Sequence, residues 1–206
     1  MNWVFFVVHP SLGEPPPAYA MRDDYAGIHA LDIASLIFAL FGLTGLYFAQ
    51  MRRVGRSGFI AFVLAAVGTI LFVGFIWGDG FYAPRLLVYA PEALDNAKDA
   101  LYPGALIVAS TVAALCFAVG WGVFAVLMVR AKVFSPLAAV MAGAGAIMIA
   151  LPPPPLASIS WNILIVGAAL LAVGAAWLGI ELWQKPEMAD AGGAAASLTG
   201  NQSPAA

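Results

Sequence analysis

Long uninterrupted apolar runs, separated by short clusters of charge, proline or glycine, set the pattern of this chain. Five runs stand out, at residues 28–50, 59–78 ("FIAFVLAAVGTILFVGFIWG"), 105–129, 136–151 ("PLAAVMAGAGAIMIAL") and 160–183. They are continuous rather than alternating, so they read as helices and not as barrel strands. Four of them reach the roughly 20 residues that a helix needs to cross a hydrocarbon core. The fourth has 16 residues, about 24 Å of helix, but it opens well, with Ser135 as N-cap and Pro136 in the first turn. It stops at Pro152–Pro155, a tract that cannot continue a helix and predicts a stiff polyproline turn.

The pattern therefore predicts an all-α, integral membrane bundle of five transmembrane helices over residues 28–183. An N-terminal arm (1–27) precedes it, and a disordered tail (184–206), small, polar and low in complexity, follows. The apolar part of "MNWVFFVVHP" is too short to span a bilayer and carries no leading Lys or Arg, so it predicts an interfacial arm and not a signal peptide. The link at 79–104 reads as the longest loop, with a short helix in "PEALDNAKDAL" and with 86–89 lying on the membrane surface.

Composition agrees with the pattern. Sixty-three per cent of the 206 residues are hydrophobic, 10% are charged and the mean hydropathy is +0.92. Soluble domains carry about 25% charged residues, so lipid is the expected solvent and partner. A net charge of −2 gives no reason to expect nucleic acid. Cys116, alone, cannot form an internal disulfide and reads as a small buried hydrophobe.

Charge placement predicts orientation. Arg52, Arg53, Arg56, Arg130, Lys132 and Lys185 all fall on one side of the five runs, and Arg22, Arg85 and Lys98 are scattered among acids on the other. The basic side is expected to face the cytoplasm, with the N-terminus outside and the C-terminus inside. Trp77, Tyr82, Tyr102 and Trp161 then mark the outer boundary, and Tyr47 and Trp183 the inner one. Trp121 and Trp177 lie deeper and predict packing between helices. Small residues four apart (Gly74/Gly78, Ala118/Gly122, Ala139/Gly143, Ala175/Gly179) predict close helix crossings, and the Ala/Gly-rich fourth helix belongs at the bundle centre.

Candidate chemistry is sparse. His29 and Asp32 share a helix face, which Ser35 extends inward. Asp79 ends the second run and Asn162 opens the fifth on the same outer side, so His29, Asp32, Asp79 and Asn162 define a possible outer polar cluster for a small molecule, a metal or a proton. The opposing reading is plain solvation. The uncharged stretch 33–49 has 17 residues, so Asp32 can sit at headgroup level, where an acid near a helix start is mildly stabilised. Glu181 is expected at the inner interface or against an Arg of the first basic link. There is no HExxH, CxxC, GxSxG or P-loop, no His pair within the spans to hold haem, and no internal repeat. No catalytic residue, cofactor or metal site is assigned.

The stretches "HPSLGEPPPAYA", "RRVGRSGFIAFVLAAVGTILFVG" and "RAKVFSPLAAVMAGAGA" resemble small bacterial multi-pass membrane proteins of unknown function, in layout over residues 9–183. That resemblance brings no activity with it; the expected location is a bacterial inner membrane. The expected role is an accessory or structural subunit that packs against itself or a larger membrane complex. The alternative is a small transporter or ligand-binding protein built on the outer cluster.

Overall fold

The computed structural model describes residues 22–90, 103–150 and 157–184. Among them there is no strand. The helices are α1 (Tyr25–Trp77), which runs through a π-helical turn (Gly78–Tyr82) into α2 (Ala83–Tyr89), then α3 (Pro103–Ala131), α4 (Pro136–Ala150) and α5 (Ala157–Gln184). Three helical stretches, Tyr25–Leu86, Val108–Ala131 and Asn162–Gln184, are long and apolar enough to cross a membrane, and Pro136–Ala150 is a shorter apolar helix.

A straight helix of the 53 residues of α1 would be about 80 Å long. Instead α1 folds back at Gly55, whose φ of 56° and ψ of −148° lie outside any helix and in territory that only glycine occupies cheaply. The fold separates a first limb (25–54) from a second (56–77). Tyr47 stacks on Phe62 with ring centroids 4.7 Å apart, and His29 meets Asp79 fifty residues later, so the limbs lie antiparallel along their length. The break falls between the first two apolar runs, within the Arg-rich "RRVGRS".

Small residues decide the crossings. A Cβ at Gly68 would strike the backbone of Cys116 and Phe117, and one at Gly120 would strike that of Ala65, so limb two and α3 are in backbone contact. α4 lies between α3 and α5. Gly143 meets Ala125 of α3, and Gly145 and Gly174 bring α4 and α5 together against Gly167, Leu171, Ala138 and Ala142. Ala138, Ala139, Ala142 and Ala146 are fully buried, as befits a helix at the centre. Of the expected pairs, Ala139/Gly143 is such a crossing. A Cβ at Gly74, Gly78 or Gly179 would meet nothing among the described residues, which corrects the reading of those positions as crossings within the bundle.

Trp121 is buried between helices, and its indole N–H donates to Thr69 Oγ1 at 3.2 Å, while the Thr69 hydroxyl donates to the Ala65 carbonyl at 2.7 Å. Trp177, by contrast, is 40% exposed and faces outward. Phe38, Phe41, Phe48 and Trp183 are exposed as well, an arrangement that suits a lipid solvent.

The two basic links meet at one end of the bundle. Arg53 donates to the Ala131 carbonyl at the end of α3 (3.0 Å), and Lys132 takes a left-handed conformation with its N–H on the Met128 carbonyl. Ser135 caps α4 as expected, accepting from the Ala138 N–H at 3.4 Å. Its own N–H donates to the Glu181 carboxylate at 2.8 Å, so Glu181 lies over the α4 N-terminus, where the helix dipole favours an anion.

The segment 79–89, read from sequence as the start of a loop, is helical. Pro84 falls in the first turn of α2, where it costs no hydrogen bond, so the chain continues as a helix past the expected stop. Of the expected arm, residues 22–27 are described, the last three as the start of α1; its earlier part, the short helix in 91–101, the proline turn and the tail beyond Gln184 lie outside the described residues.

Candidate functional site

The fold at Gly55 builds the site. His29 sits one turn into limb one, fully buried, with its ring 4.3 Å from that of Tyr25. Its Nδ1 lies 2.8 Å from the Tyr25 carbonyl, which can only accept, so Nδ1 carries the hydrogen. Its Nε2 lies 3.1 Å from Asp79 Oδ2. With Nδ1 already protonated, that second contact needs another proton, on Nε2 or on the carboxyl. The pair is therefore net neutral in either arrangement, as a partly buried pair should be. Asp79 itself is half-exposed, on the π-helical turn. Irregular turns of this kind recur at functional sites. Gly80 completes the contact, because a Cβ there would fall on the Cβ and Cγ of His29.

Asp32 lies on the same face one turn deeper and is only 4% exposed. Its single hydrogen-bond partner among the described residues is Ser35, whose hydroxyl is shared between the Asp32 carbonyl (2.7 Å) and Oδ1 (3.3 Å). A buried carboxylate offers about four acceptor positions, and the described residues fill only one of them. The solvated first turn considered from sequence does not describe it, since Asp32 turns into the bundle. Asn162 is exposed near the start of α5 and makes no hydrogen bond to the other three. The structure thus brings together His29 and Asp79, stations Asp32 beside them, and leaves Asn162 out.

Beyond Ser35 a cleft of about 370 Å³ opens between limb one and α5. Ala39, Gly42 and Leu46 form one wall, Leu171, Ala175 and Leu182 the other, and Trp121 reaches its floor. From Ser35 to Leu46 it runs for about 16 Å of helix. The exposed Phe38 and Gly179 border it, so it opens sideways to whatever surrounds the bundle. One turn past Leu46, Gln50 is buried with neither amide atom hydrogen-bonded among the described residues. Sequence reading passed over Gln50. The sequence offers no signal for it, because limb one is apolar all round and shows no stripe that marks which face is inward.

Among the described residues no group of three or more His, Cys, Asp or Glu is placed to hold a metal ion. No family model matches the chain, and no curated protein or solved structure is significantly similar to it.

Proposed function

We propose that this is a five-span protein of a bacterial inner membrane, basic end in the cytoplasm, that binds an amphiphilic small molecule. In this reading the tail lies in the cleft between limb one and α5, and the head meets Asp32 and Ser35. The observation that carries it is the placement of Asp32: a buried carboxylate with Ser35 as its one hydrogen-bond partner among the described residues, one turn beyond the Ser35 end of an apolar cleft that opens sideways. Ionisable groups inside a membrane protein are costly and are retained where they act. A head that donates hydrogen bonds, such as an amine or a hydroxyl, suits the acceptor positions that the described residues leave open on Asp32, and the His29–Asp79 pair beside it offers an exchangeable proton. The gathering of Arg52, Arg53, Arg56, Arg130 and Lys132 at one end supports the orientation.

A second reading, an accessory subunit packing against itself or a larger complex, draws on Gly74 and Gly78, which face open space and leave room for another helix. One experiment separates the two. In a variant whose only tryptophan is Trp121, a long-chain primary amine brominated along its tail should quench the fluorescence saturably. The equivalent carboxylic acid should quench far less, and Asp32→Asn should weaken the amine at least tenfold. Equal, non-saturating quenching by both, unchanged in Asp32→Asn, removes the binding reading and leaves the subunit one.

A further inference from the structure

A second groove, on the opposite side of the bundle, ends on a cation. It lies between α3 and α4, with a volume of about 520 Å³, bordered by Ala118, Val119, Val123 and Leu127. It continues into a hollow of about 380 Å³ that reaches Val140 and Gly143. Both parts share Gly122, Val126, Arg130 and Ile147. The groove exists because Gly122, Gly143 and Ala144 present almost no side chain along this seam. A Cβ at Gly122 would meet only the tip of Ile147, 3.0 Å away. Its walls are otherwise apolar, and Arg130, exposed in the last turn of α3, is its one charged member. Arg130 has no hydrogen-bond or ion-pair partner among the described residues.

We propose that this groove seats one acyl chain of an anionic phospholipid, with the lipid phosphate on the Arg130 guanidinium. Length and charge both point to that occupant. From Ala118 to Arg130 the groove follows about 18 Å of helix, close to the half-thickness of a hydrocarbon core, about 15 Å, so a chain anchored at the basic end fills one leaflet. A guanidinium at that end presents a donor fork that matches phosphate oxygens. Arg52, Arg53, Arg56 and Lys132 surround the same end with further positive charge, which favours an anionic over a zwitterionic head. The site does not depend on the cleft at Asp32.

Native mass spectrometry of the full chain, released from mixed micelles of phosphatidylglycerol and phosphatidylcholine with identical chains, tests the proposal. One phosphatidylglycerol should be retained in preference. Arg130→Gln should reduce that preference about fivefold, the scale of one cation against an anionic lipid surface. Val126→Phe, which fills the groove from its open side, should reduce retention with Arg130 intact. Arg56→Gln, at the same end but off the groove, should leave it unchanged. Equal retention of both lipids overturns the proposal. So does a loss in Arg56→Gln as large as in Arg130→Gln, which would mean diffuse attraction, or full retention in Val126→Phe, which would put the chain elsewhere.

Discussion

His29 and Gly80 are coupled by size. The Cβ of His29, and then its ring, occupy the volume where any larger residue at 80 would place its Cβ, and in that position Nε2 reaches Asp79. Gly80→Ala must therefore displace either limb one at His29 or the π-helical turn. The expected cost is about 1–3 kcal/mol, typical of overpacking, measured as unfolding in mixed micelles. Only His29→Gly removes the Cβ that such a methyl would strike first, so Gly80→Ala and His29→Gly together should cost less than the sum of their separate effects. Additive costs would show that the two residues do not share that space. His29, Asp32 and Asp79 could be picked out as polar residues at the ends of apolar runs. What could not be read is that Asp32 turns inward and Asn162 outward, because a helix that is apolar all round carries no stripe to orient it. Gln50 was missed for the same reason.

At the scale of elements, the all-helical class and the long apolar helices were legible because lipid requires long apolar runs and their interruptions are strong: "RRVGRS", "RAKVFSP" and the proline tract. The contacts between them were less so. Small-residue spacing within one helix shows that close approach is possible but not which face is met, and so Gly74/Gly78 was expected inside and lies open, while Gly68 and Gly120 carry the tightest crossing. The helical course of 79–89 escaped notice because Gly78, Asp79, Gly80 and Pro84 read as turn signals. A proline in a first turn and glycines after a long helix are compatible with continuing it. Gly55 is the element-scale residue of greatest consequence. Gly55→Ala forces a side chain into its φ and ψ and should destabilise the protein by about 1–3 kcal/mol. Gly27→Ala, where a Cβ meets nothing, is the control and should cost little. Equal effects of the two would mean that the fold-back does not depend on the conformation at 55.

For the whole molecule, the arrangement follows from one division: polar and acidic groups near the N-terminal end of limb one, basic groups near the fold at Gly55, and helices between them whose outward faces are apolar. The proposed amphiphile cleft and lipid groove both use this division, the first with its polar end at Asp32 and the second with its polar end at Arg130. Each depends on α1 folding double, so that its middle and its two ends lie at opposite ends of the bundle. Single cysteines at Arg56 and at Tyr82, an exposed side chain beyond Asp79, in a Cys116→Ala background, report on this directly. With a membrane-impermeant maleimide, the account predicts labelling of Tyr82→Cys in intact cells freed of the outer membrane, and of Arg56→Cys only after permeabilisation. Labelling of both from the same side, or of Arg56→Cys alone in intact cells, would contradict it.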